Sequence, residues 1–189
     1  MKFIHTIIVL SLLSLQAALC QDPLIDSLNE KLNHADSSEK FDLYIELGRA
    51  CIPESPAKSL EYSGLARNMA LQDKNTEDEA VANQEIGIAF YYLGDFDSAA
   101  YYYRKALNHY EESGNRTKAG NLWRNIGILH HKKGEYSEAL NNYLKARELL
   151  ENSEDTSGLS KALMSIGIAY SYMGMYEKNM EYLLRSLKL

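Results

Sequence analysis

The sequence predicts an all-α fold, a stacked array of antiparallel helix pairs, and three observations predict it. Ile86-Gly87-Ile88 returns as Ile126-Gly127-Ile128 and again as Ile166-Gly167-Ile168, each copy 40 positions after the last. A second glycine keeps the same spacing, at Gly94, Gly134 and Gly174. Between these markers, apolar residues recur every three or four positions, as on one face of a helix. A fixed period of about 20–50 residues marks a repeat architecture in which each unit buries its apolar side on the next.

Composition narrows the function classes. The 189 residues are 46% apolar, enough for one domain with a continuous core. Net charge is −6 with acids and bases interspersed, so no basic face for nucleic acid stands out. Two cysteines, Cys20 and Cys51, cannot make a disulfide framework. The 14 tyrosines suit helix-pair interfaces, where one end of the ring is packed and the other wet.

Taken in order, residues 1–20 read as a signal peptide. Lys2 gives a positive start and Ile7 to Leu15 an apolar run. Ala18-Leu19-Cys20 then sets small residues at the −3 and −1 positions of a cut before Gln21. The run is short for a membrane anchor. Lipidation of Cys20 is the other alternative, which Leu19 disfavours. The mature chain is thus expected to be exported, periplasmic or extracellular, with Cys51 a lone buried small hydrophobe. Residues 21–37 form an N-terminal helix and linker. Asp22-Pro23 starts the helix, Leu24, Ile25, Leu28 and Leu32 share one face, and Asn33 to Ser38 is a polar break.

Four helix pairs follow, at 38–76, 77–116, 117–156 and 157–189. The first is degenerate, with Cys51-Ile52-Pro53-Glu54-Ser55-Pro56 where the glycine turn belongs and one residue missing from that turn. In the second, Ala82, Ile86, Ala89, Phe90 and Leu93 make one stripe, closed by Gly94. Phe96, Ala99, Ala100, Tyr103, Ala106, Leu107 and Tyr110 make the next. Glycine after the last turn is the expected left-handed cap, and Asp95 and Glu135 place an acid at the positive end of the following helix. The third pair repeats the pattern with Trp123, Ile126, Leu129, Tyr136, Ala139, Tyr143 and Ala146. The fourth uses Leu163, Ile166, Tyr170, Tyr176, Leu183 and Ser186. Small residues on both helices of a pair let the backbones approach, and aromatic rings fill the wider gaps.

Trp123, Ile126, Gly127, Ala139, Tyr143 and Ala146 carry a resemblance to the tetratricopeptide repeat, and it extends over roughly residues 41–189. The period departs from the usual length of about 34, so the helices should be longer by a turn or more. Long repeats of this kind are similar to the exported and sensor-type arrays of bacterial signalling proteins. The resemblance implies a right-handed α–α superhelix whose concave wall is lined by the first helix of each pair. On that mapping, the partner-binding positions are Gln84, Tyr91 and Tyr92 in the second repeat and Asn121, Arg124, His131 and Lys132 in the third. Lys161 and Tyr172 follow in the fourth, with Val81, Met164, Ser171 and the second isoleucine of each triplet beside them. Cations and aromatic walls together would suit an extended peptide carrying acidic and apolar side chains. One family subset clamps a C-terminal carboxylate with a lysine–asparagine–arginine set. Its opening pair would fall on Ile45 and Arg49 or on Gln84 and Ile88, and neither fits, although Asn125 and Lys161 match two later positions.

No catalytic constellation is found, and no cofactor or metal is expected. Adjacent helical residues diverge by about 100°, so His130 and His131 cannot share one ion, and His130 is expected in the core. Asn115-Arg116-Thr117 fits a glycosylation sequon in an exposed loop. The chain is therefore expected to be a non-catalytic binding scaffold for a protein or peptide. The alternative is the sensory part of a kinase or transcriptional regulator whose output module is absent. The fourth repeat looks truncated, and the last helix is expected to leave an apolar side open to self-association or further repeats.

Overall fold

The computed structural model describes residues 22–189. The signal segment, Cys20 and the cut before Gln21 lie outside the described residues. Among the described residues there are nine helices and no strand: α1 (Pro23–His34), α2 (Lys40–Cys51), α3 (Pro56–Asp73), α4 (Thr76–Leu93), α5 (Phe96–Glu112), α6 (Arg116–Lys132), α7 (Tyr136–Leu150), α8 (Thr156–Tyr172) and α9 (Tyr176–Ser186). They stack as a right-handed solenoid of antiparallel pairs, each helix packed on the one before and the one after. First helices of successive repeats also touch, α2 with α4 and α6 with α8, which builds a wall of like helices.

Local chemistry sets the helix ends. Asp22 accepts a hydrogen bond from the Leu24 amide at 2.8 Å with Pro23 in the first turn. Asn75, Asp95, Asn115 and Asp155 cap α4, α5, α6 and α8 through their side-chain oxygens. Asn115, expected in a loop, therefore has its amide oxygen engaged by the Lys118 N–H at 3.1 Å. Gly94, Gly134 and Gly174 turn the chain with φ of 81°, 79° and 76°, where a Cβ would be strained. Glu135 stands at the start of α7 but caps nothing, because its carboxylate goes to His130 Nδ1 at 2.6 Å.

The degenerate first pair differs from expectation in detail. Its turn, between Cys51 and Pro56, is longer than the Gly94-Asp95 turn. The missing residue comes from α2, which stops three positions after Gly48, whereas α4 runs six past Gly87. Pro53 and Pro56 account for this, since proline cannot continue a helix interior. The longer period does lengthen helices: α4 and α5 have 18 and 17 residues, together as many as a whole repeat of about 34.

The core runs between repeats as well as within them. Ala66 of α3 packs with Ile45 and Ala82, and Ala146 of α7 packs with Leu150 and Ala162, all buried. Ile86, Ile126 and Ile166 are buried. Within a pair, the glycine admits a ring. A Cβ on Gly127 would meet Tyr143 Cε1 at 2.5 Å and the Ala139 carbonyl oxygen at 3.1 Å. Several residues expected on buried faces are not in the core, Leu24 and Tyr176 being exposed. Leu93 is exposed at the end of α4, and His130 is only half-buried, drawn outward by its bond to Glu135.

Candidate functional site

The wall of first helices carries two adjoining cavities, and Arg124 and Asn125 of α6 line both. The first, of about 330 Å³, is basic. Arg49, Lys118, Arg124 and Lys161 face it together with Gln84, Asn121 and Asp155. The second, also about 330 Å³, is aromatic and aliphatic, formed by Ile88, Tyr91, Tyr92, Tyr103 and Ile128. The second isoleucine of the triplet thus lines a cavity in repeats 2 and 3, while the first stays in the core.

The cations are not equivalent. Arg49 donates through Nε and Nη2 to Glu85 Oε1 at 3.0 and 2.7 Å, and the Glu85 side chain is only 4% exposed. That hydrogen bond holds Arg49 firmly charged. Lys118 is tied to Glu77 at 2.5 Å, and Glu77 also meets His109 Nε2 at 2.8 Å. The two contacts hold the Glu77 carboxyl below its usual value, Lys118 contributing more. Among the described residues Arg124 has no carboxylate partner. Its Nη2 reaches Asn125 Oδ1 at 3.2 Å, while its Nε is buried without any hydrogen-bond partner. Burial pulls its guanidinium below the usual arginine value, opposed by the nearby Tyr143 and Tyr103. A partly desolvated guanidinium with no carboxylate beside it calls for an anion in the groove.

Asn121 is held in place by Asp155 Oδ2 at 2.9 Å, and the other oxygen of Asp155 caps α8 at the Gly158 N–H, 2.7 Å. The Asn121 hydrogen bond, then the Gly158 one, keeps the Asp155 carboxyl low. Lys161 lies on the next helix and has no carboxylate within ion-pair distance among the described residues.

The remaining expected positions divide. Tyr91 stands edge-on to Tyr92 with ring centroids 5.2 Å apart, which props both in the second cavity. His131 and Tyr172 are brought together, centroids 4.7 Å apart, and Tyr136 stacks on Tyr172 at 4.9 Å. Burial first, then Lys132, lowers the His131 pKa, and the three rings join repeats 3 and 4. His130 and His131 point to different partners, Glu135 and the tyrosines. Lys132 is exposed and lines neither cavity. The clamp comparison has a structural counterpart: Ile45 is buried in the core and Arg49 is committed to Glu85.

Arg49, Lys118, Tyr103 and Asp155 line the cavities without having been assigned to the groove from the sequence. Lys118 sits one turn before the mapped positions, and its reach carried it in. Tyr103 and Asp155 belong to a second helix and to an inter-repeat turn, where a mapping confined to first helices does not look. A third cavity of about 310 Å³ is lined by Glu79, Asn83, Lys105 and His109. Three of its polar groups are already engaged, Arg67 holding Asn83 and Glu79 and His109 meeting Glu77.

Residues 118–189 match the family model described as the tetratricopeptide repeat. No curated protein matches the chain. Among solved structures, a Rap protein complexed with competence and sporulation factor is 19% identical with a TM-score of 0.79, over 87% of this chain and 47% of that one. The Rap conjugation gene regulator of plasmid pLS20, in complex with the Phr* peptide, is 18% identical with a TM-score of 0.76, over 87% and 46%. A signal transduction ATPase with a tetratricopeptide repeat sensor from Pyrococcus horikoshii is 20% identical with a TM-score of 0.74, over 86% and 25%. These likenesses show the fold, and the chain spans less than half the length of each of the three.

Proposed function

From a chain whose residues 118–189 match tetratricopeptide repeats and whose fold is that of a repeat solenoid, we propose a scaffold that binds an extended peptide segment of a protein partner along the concave groove. Protein interaction is what such arrays provide, and the pLS20 regulator it resembles is described with a bound peptide. The observation that carries the finer reading is Arg124, shared by both cavities with its Nε unpaired. A ligand carboxylate would pair with the cavity-facing edge of that guanidinium, and Asn125 and Lys161 stand beside it. The neighbouring cavity of Tyr91, Tyr92 and the two isoleucines takes an apolar side chain. The ligand is therefore an acidic residue next to apolar ones, laid across repeats 2 to 4.

Fluorescence anisotropy with labelled peptides tests this, using an Asp- or Glu-containing apolar sequence and its Lys-substituted twin. The acidic peptide should bind tighter by about tenfold or more, a difference of about 1.4 kcal/mol. Arg124→Ala should remove most of that preference, and Lys161→Ala a smaller part. Equal binding of both peptides, or no effect of Arg124→Ala, rejects it.

The signal-like residues 1–20 support export as the setting of this activity. N-terminal sequencing of protein recovered outside the cytoplasm should begin at Gln21. A second reading draws on the likeness to the sensor-bearing ATPase, of which this chain spans 25%. There the groove would be the input of a longer signalling protein, and a reading frame continuing into a kinase or regulator domain would favour it.

A further inference from the structure

Taking the peptide-binding reading above, on which this rests, we propose that two tyrosines of a second helix, Tyr103 and Tyr110 of α5, contact the ligand directly. Each offers its phenol hydroxyl at the floor of one cavity, and together they set the spacing of the ligand's acidic and apolar residues.

Both tyrosines are buried yet keep an outlet. Tyr103 lines the aromatic cavity and Tyr110 the basic one, although they are only 3% and 1% exposed and belong to one buried cluster. Neither hydroxyl has a hydrogen-bond partner among the described residues. The unpartnered side-chain atoms sealed from solvent are those of Ser63, Arg124, His131 and Arg147, and neither phenol oxygen is one of them. What stays open of each tyrosine is therefore its hydroxyl, at the cavity floor.

Packing explains the rings and not the oxygens. Gly87 makes room for a ring, since a Cβ there would meet Tyr103 Cδ1 at 2.5 Å, and phenylalanine would fill that space equally well. The Lys118 ammonium lies 5.0 Å from the Tyr110 ring centroid, a contact that also needs only the ring. An oxygen held so deep costs free energy unless something hydrogen-bonds to it. Burial lifts both phenols above their ordinary value, Glu85 adding to the effect at Tyr103 and Glu77 at Tyr110. Each hydroxyl thus keeps its proton and can both donate and accept.

Spacing and surroundings sort their roles. α5 is unbroken from Phe96 to Glu112, so residues seven apart share a face two turns apart, about 10 Å. An extended chain covers that distance in about three residues. Tyr110 shares its cavity with Arg124, Lys161 and Asn121, where its O–H donates to the ligand carboxylate. Tyr103 shares its cavity with Ile88, Tyr91 and Ile128. There it meets the ligand main chain, because an apolar residue brings no other polar group. The acid and the apolar anchor of the ligand accordingly stand about three residues apart.

The test is fluorescence anisotropy with a labelled peptide carrying Asp three residues from Leu, a version with the two adjacent, and the Lys-substituted twin. The purified protein is compared with Tyr103→Phe and Tyr110→Phe, each of which removes one oxygen and keeps the ring, and circular dichroism checks that helicity is unchanged. Tyr110→Phe should weaken the Asp peptide about tenfold and leave the weaker binding of the Lys twin as it was. Tyr103→Phe should weaken both about threefold. The three-residue spacing should bind tighter than the adjacent one. Binding that needs Arg124 but ignores both substitutions, or that favours adjacent residues, overturns this proposal alone. A parent protein without preference for the acidic peptide overturns the groove reading and this inference with it.

Discussion

Repeats 3 and 4 share one register, the same Ile-Gly-Ile triplet, the same glycine turn and an aspartate or asparagine capping the first helix. They differ in what the second helix offers. In repeat 3, Gly127 seats the ring of buried Tyr143, and α8 lies over the outer side of α7. In repeat 4, Gly167 faces Asn179 and half-buried Leu183 at 3.2–3.3 Å, and α9 has an open outer side. A repeat of this type is thus stabilised on two sides. The triplet secures the contact within a pair, and the next pair secures the rest.

The comparison can be broken most directly at the ring. Tyr143→Ala should cost about 3–5 kcal/mol in urea unfolding, as for other buried aromatics, and Leu183→Ala less than about 2. Equal losses would mean that repeat 4 is as tightly packed as repeat 3. The glycines come next. Gly127→Ala should destabilise by about 1–2 kcal/mol, overpacking against Tyr143 exceeding the helix propensity gained. Gly167→Ala, with looser neighbours, should be neutral or stabilising by up to about 1 kcal/mol. The same urea titration reads both.

A smaller gain is expected at the start of α9. Met175 occupies the cap position with no side-chain hydrogen bond, whereas Asp95 at the same register accepts from the Ser98 amide at 3.0 Å. Met175→Asp should raise stability by about 1 kcal/mol, seen as a higher melting temperature. The smallest effect is a pH dependence. The Asp155 carboxyl is held below its ordinary value of 3.8 by Asn121 and Gly158. Its contribution is complete above that value and disappears as pH falls through the lower folded one. The unfolding midpoint of Asp155→Asn should show less acid loss in that window than the parent. An identical acid limb would place the linkage elsewhere.

Much of the fold was legible because repetition averages out local ambiguity. Any one stripe, such as Ala82-Ile86-Ala89, fits a short buried helix anywhere, but three copies at one spacing fit only a stack. The groove was legible in part. Gln84, Asn121, Arg124 and Lys161 line one cavity and Tyr91 and Tyr92 its neighbour, all on first helices where the register carries over. The register gave no account of long side chains and second helices. Lys118 reaches in from the first turn of α6, and Tyr103 enters from α5 because Gly87 leaves room for its ring. Lys132 shares its register with Tyr92 and Tyr172 but contacts neither cavity, since an ammonium is well solvated where a phenol seeks a neighbour.

By itself the sequence determined the all-α class, the pairing of helices, the turns and the isoleucines that enter the core, since these follow from spacing and backbone stereochemistry. Tertiary structure alone decided which polar groups are already partnered. Arg49 and Arg124 are both arginines on first helices. One is neutralised by a buried glutamate 36 residues away, and the other keeps a buried donor open. Residue type does not separate them, because the cost of burying a charge depends on what lies within about 4 Å, and repeat stacking sets that neighbourhood.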